Sequence, residues 1–107
     1  MDIKTIAIVS LTNSAKIVNV PSLSQLAKNY KFISIELQNY DGNAYYTLAH
    51  AQYPLSYFID GTSRTIRASY NNGTYYWCGC NCVNDTSINV TNKNDMPTYN
   101  AIIRVYN

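Results

Sequence analysis

Cys78, Cys80 and Cys82 are the only cysteines in this chain, set two apart in the run YYWCGCNC from Tyr75 to Cys82. Thiols at that spacing suggest three chemistries: holding a metal, closing a disulfide, or attacking a substrate. On a regular strand, neighbouring thiols of one face stand about 6.6 Å apart and the outer pair about 13 Å. A disulfide needs Cβ atoms at roughly 4 Å, and zinc holds its thiolates at about 2.3 Å, so a strand permits neither. Zinc held by the three thiols and His50, the single histidine, requires Gly79 to bend the run into a loop. A thiolate nucleophile needs a base and an orienting group, and nothing in the sequence brings His50 to a cysteine. The expectation is therefore packing. Tyr76, Cys78, Cys80 and Cys82 face inward as small or flat buried groups, Tyr75 and Trp77 point the other way, and no metal or cofactor is expected.

The remaining candidates for chemistry are few. Asp41, Asp60, Asp85 and Asp95 each stand beside a turn signal, where a short carboxylate serves the turn itself; a calcium site needs several such oxygens converging. With six acids in all, paired carboxylates for glycoside hydrolysis have little to draw on. No phosphate loop, G-x-S-x-G elbow or H-E-x-x-H stretch is present. These readings point away from an enzyme. Three glycosylation sequons, at Asn72, Asn84 and Asn89, are what an Asn- and Thr-rich chain supplies by chance.

Rings are the better lead. The chain has 11 Tyr against 2 Phe and 1 Trp, and a tyrosine pairs an apolar body with a hydroxyl that seeks a partner. Tyr40, Tyr45, Tyr46, Tyr75 and Trp77 gather near expected hairpin ends or on one strand face. With Asp41 and Asn43, the residues Tyr40, Tyr45, Tyr75 and Trp77 form the candidate binding set. Flat rings with polar tips suit sugar stacking and suit a subunit interface equally.

The elements that must position these residues are strands. Ile3 to Ser10 and Ala15 to Val20 read as two strands around a turn-rich link, and Pro21 stops the ladder because it has no N–H to donate. Ser22 to Asn29 is either one serine-capped helical turn or a loop. In Lys31 to Gln38, Ile33, Ile35 and Leu37 alternate with Ser34, Glu36 and Gln38, the period of a half-buried strand. Asp41-Gly42 is a hairpin signal, after which Ala44 to Ala51 resumes as a strand that Pro54 interrupts. Ser63 to Tyr70 alternates again, with Ile66 and Ala68 opposite Thr65, Arg67 and Ser69. Asn71-Asn72-Gly73 is a turn. Strands over Thr74–Val83, Thr86–Thr91 and Tyr99–Tyr106 complete the chain.

About eight short antiparallel strands between turn signals predict an all-β fold, a β-sandwich or jelly-roll-like domain. At 107 residues residues 1–107 make one domain. Glu occurs once while β-branched residues are plentiful, which agrees. A formal charge of +2 with scattered Lys and Arg leaves no basic stripe for nucleic acid. No run approaches the about 20 apolar residues of a membrane span, and the start lacks a secretory pattern. Cytoplasmic synthesis with reduced thiols is the expectation.

From Tyr30 onward the order of pieces resembles the C-terminal head domain of tail-fibre and receptor-binding proteins from phages of gut bacteria. The pieces are YKFISIEL (30–37), YPLSYF (53–58), TIRASY (65–70), VNDTSINV (83–90) and IRVY (103–106). The resemblance implies a β-sandwich assembled as a homotrimer at the tip of a virion, made in the bacterial host cytoplasm, with loops meeting host-surface glycans or proteins. Such heads end a longer fibre, whereas this chain begins at Met1 with no shaft. The expected function is thus a virion structural protein for display and host attachment, with itself and other virion proteins as partners. Two alternatives stand beside it: a capsid decoration or connector subunit, and a small carbohydrate-binding module.

Overall fold

In a computed structural model the described residues form eight antiparallel strands in two sheets, with two one-turn helices. Residues 2–12, 15–40, 45–60, 65–93 and 99–107 are described, and of Tyr40, Tyr45 and Tyr46 the backbone alone. The strands are β1 (Ile3–Ser10), β2 (Lys16–Asn19), β3 (Phe32–Tyr40), β4 (Tyr45–Pro54), β5 (Thr65–Asn71), β6 (Tyr75–Asn84), β7 (Ser87–Asn92) and β8 (Tyr99–Tyr106). The helices are α1 (Leu23–Leu26) and α2 (Leu55–Phe58). One sheet runs β1-β8-β3-β4 and the other β2-β7-β6-β5. β1 and β2, although neighbours in sequence, thus lie in different sheets, and so do β7 and β8.

Alternation does the sorting. Ile33, Ile35 and Leu37 of β3 are fully buried. They face Ile66, Ala68, Cys78, Cys80, Ile88 and Val90 of the other sheet in one continuous core. Apolar side chains on every second position give each sheet one dry face, and stacking the two dry faces removes both from water. Cys78 pairs across the ladder with Ala68, and Cys80 with Ile66 and Val90. Small groups at Ala68, Cys78 and Cys80 let the facing β3 side chains seat between them.

Both helices plug one end of the sandwich, where β2 crosses to β3 and β4 crosses to β5. α1 is the serine-capped turn: Ser22 Oγ accepts from the Gln25 N–H, and Leu23 and Leu26 are buried. α2 follows Pro54 in an apolar stretch, Leu55 to Ile59. Four residues are too few for a helical period to register, yet they bury Leu55 and Phe58 completely. Pro54 closes β4 opposite Phe32 rather than interrupting it. It is tolerated because β4 is an edge strand, whose last N–H owes nothing to a neighbour. Among the described residues no helix is long and apolar enough to cross a membrane.

Candidate functional site

The end opposite the helices is built from hairpin tips. β3 and β4 pair as far as Tyr40 with Tyr45, and β5 and β6 as far as Asn71 with Tyr75. The second tip is held by side chains: Asn71 Oδ1 accepts from the Gly73 N–H and Asn72 Oδ1 from the Thr74 N–H. Gly73 sits at φ 106°, where a β-carbon would be strained. The rings of Tyr76 and Tyr99 meet edge to face at 5.3 Å, and Tyr99 pairs with Asn39, so the two tips belong to one end of the molecule. Four of the six candidate residues, Tyr40, Tyr45, Tyr75 and Trp77, therefore share this end or the strand that leaves it. Asp41 and Asn43 lie outside the described residues.

Tyr75 and Trp77 point away from the core, as the alternation of β6 requires. Tyr75 is 44 % exposed, and its hydroxyl donates to Ser69 Oγ at 3.1 Å. Trp77 is half-buried, because the guanidinium of Arg67 lies over its ring, 4.0 Å from the centroid. Arg67 and Trp77 are diagonal neighbours: Arg67 pairs with Gly79 and Trp77 with Ser69. Lys93 extends the same row, its N–H donating to the Trp77 carbonyl, and its ammonium stands 5.6 Å from the Tyr76 centroid. Further along this face come Thr91, opposite Gly79, and Asn81 opposite Asn89, whose amides bond at 3.5 Å.

The outer face of the other sheet has a different character. Arg104 Nη1 binds Glu36 Oε1 at 2.7 Å, and its Nε donates to Thr5 Oγ1 at 3.3 Å. Gln38 and Thr47 each donate to Glu36 Oε2 at 3.1 Å. Partial burial would raise the Glu36 pKa, but the Arg104 guanidinium and these donors outweigh it and hold the carboxyl below its ordinary value. Around this neutral centre stand Ile3 and Ile8, 58 % and 69 % exposed. Ile102 is buried on the same outer face, between Ile8 and Glu36 in register. Two shallow hollows flank Arg104. One, of about 390 Å³, is walled by Thr5, Ile8, Asn100 and Ile102; the other, of about 210 Å³, by Ile3, His50, Gln52 and Tyr106.

The cysteines are where packing puts them. Burial pushes the Cys78 thiol up to about 12 and raises Cys80 further still. Cys82, beside a bulge in β6, is half-buried and donates to the Asn84 carbonyl; desolvation and then Asp85 raise its pKa. His50 pairs with Glu36 on the outer face of the other sheet, so a whole sheet separates it from the core-facing thiols Cys78 and Cys80. The Cys3His reading has no geometry to support it. Among the described residues no three His, Cys, Asp or Glu gather for a metal.

Asp85 is a cap. Its carboxylate accepts from Ser22 Oγ at 2.6 Å and from the Ser24 N–H at 2.8 Å, and those bonds hold its pKa below the ordinary value. The turn at Asn84-Asp85 is closed by Asn84, which accepts from the Thr86 N–H and the Ser87 hydroxyl.

Sequence reading missed Arg67, Lys93, Arg104, Glu36, Ile3 and Ile8 as surface determinants. Arg67 was recoverable, since counting back from the Asn72-Gly73 turn sets it diagonal to Trp77. Arg104 and Glu36 come together only through the pairing of β3 with β8. Comparison of the chain with protein-family models, with curated proteins and with solved structures found no match.

Proposed function

We propose that this protein is a non-enzymatic virion structural subunit, a fibre-head-like sandwich that associates with copies of itself and displays its hairpin end for attachment to a host surface. One observation carries the reading. The outer face of β1-β8-β3-β4 exposes Ile3 and Ile8 around a charge pair that neutralises itself. Exposed isoleucines beside hollows favour covering. A face with no net charge from its Arg104–Glu36 pair meets a copy of itself without like-charge repulsion. The broad dimensions of the molecule, 39 × 28 Å, leave room for the about 800 Å² that one partner contributes to a standard interface. Copies held in a closed ring multiply weak contacts at the hairpin end into useful avidity.

Native mass spectrometry tests the reading, with a trimer or larger expected. Ile8→Glu, which places an unpaired charge in the interface, is expected to give a folded monomer. A wild-type chain that stays monomeric at every concentration overturns self-association; binding of that monomer to capsid would point to the decoration alternative instead.

A further inference from the structure

We propose that the outer face of the β2-β7-β6-β5 sheet is a binding site for an acidic saccharide, with Arg67 receiving its carboxylate on a platform made by Trp77. The proposal deepens the host-attachment reading, on which its biological sense rests, by naming the ligand chemistry.

The guanidinium of Arg67 lies over the indole, its Cζ 4.0 Å from the ring centroid. Its N–H edge is left for another purpose, since among the described residues Arg67 has no carboxylate partner. A planar fork of donors held in place matches a carboxylate in bidentate fashion, and stacking removes much of the entropy otherwise lost on binding. The charge of this face points the same way. Arg67 stands over Trp77, and of the described carboxylates Glu36 is on the other sheet and Asp85 caps α1 at the opposite end.

What surrounds Arg67 selects for hydroxyls. Thr65 and Ser69 lie two residues to either side on β5, Thr91 lies beyond Gly79, and the Asn81–Asn89 amides follow in the next row. These hydroxyls and amides both donate and accept, which suits a ring of sugar hydroxyls, and the exposed Ile17 beside Asn89 ends the row with an apolar group for the ring's C–H face. Gly79 keeps this stretch low. A β-carbon there would stand 3.0 Å from the Ile66 carbonyl and 3.2 Å from Thr65 Cγ2.

Trp77 is the single tryptophan among 11 tyrosines, so indole emission, excited at wavelengths the tyrosines do not absorb, reports on this site alone. The probes are tetramers of galacturonate, glucuronate and mannuronate, their carboxyl-reduced counterparts, polyglutamate and inorganic phosphate. The expected result is that at least one uronate tetramer shifts the emission saturably, about tenfold or more tighter than its neutral counterpart, and less tightly as salt rises. Arg67→Lys keeps the charge and loses the fork; it and Arg67→Gln should each weaken uronate binding about tenfold or more, with the protein still folded and its native mass unchanged. Trp77→Phe, followed by calorimetry, should also bind less tightly. The proposal is overturned if no uronate binds, if neutral tetramers, polyglutamate or phosphate bind as tightly, or if Arg67→Lys binds like wild type. An unaltered native mass in these variants keeps a failure here distinct from a failure of self-association.

Discussion

Three thiols spaced two apart look reactive on paper, and their surroundings make two of them inert. Cys78 and Cys80 are fully buried, and a thiolate in that apolar layer would be unsolvated, which is why burial raises both pKa values. A disulfide-exchange reagent applied to the native protein at pH 8 should label Cys82 alone, and all three thiols after unfolding. Rapid labelling of all three in the native state would contradict the packing. Cys80→Ser should cost about 1–3 kcal/mol, because a hydroxyl there is buried without an assured partner, measured by denaturant melts. Asp85 and Glu36 are carboxylates whose folded pKa values are depressed. Their contribution is complete above the ordinary carboxylate value of about 4 and is lost as pH falls through the lower folded values. The melting temperature should therefore fall below about pH 4, and Asp85→Asn should flatten that fall while lowering stability at neutral pH.

Among the elements, β6 carries the tightest constraint. Its central Gly79 leaves 3.0 Å between a would-be β-carbon and the Ile66 carbonyl, backbone that cannot swing aside. Gly79→Ala should destabilise by about 1–3 kcal/mol, by a shift in the chemical-denaturation midpoint with unchanged slope; a neutral result would mean that β5 and β6 stand further apart. The β3–β8 ladder is the frame for Arg104 and Glu36, both mostly covered side chains. A double-mutant cycle on Arg104→Gln and Glu36→Gln should return about 0.5–1 kcal/mol of coupling, smaller at high salt.

At the scale of the whole molecule, two outer faces lie on either side of one core. One exposes Ile3 and Ile8 around the neutral Arg104–Glu36 pair; the other carries Arg67 on Trp77 and polar rows, with Ile17 exposed beside Asn89. A single sandwich offers both at once, so assembly through the first leaves the second accessible. Mixing Ile8→Glu with wild type should not recruit the variant into oligomers, while uronate binding by the variant monomer should persist with reduced avidity, measured on a glycan-coated surface. Equal surface retention of monomer and oligomer would separate display from assembly.

Period-two alternation is a local property of the chain, and it was enough to place Ile33, Ile35 and Leu37, Ile66 and Ala68, and the cysteines on inner faces. The same alternation sent Tyr75 and Trp77 outward. Turn chemistry is local too, which is why Asn72-Gly73 and the Ser22 cap were legible. Which strand lies beside which is not a local property. The pairing of β8 between β1 and β3, and hence the meeting of Arg104 with Glu36, rests on contacts 68 residues apart that pay their loop-closure entropy only when the core forms. The same holds for Asp85, which reaches back 63 residues to Ser22, and for α2, a helix of one turn that exists because Leu55 and Phe58 fill the end of the sandwich. The sequence by itself determined which side of each strand is wet; only the tertiary structure decided which wet sides share a surface, because that choice is made by packing between distant segments.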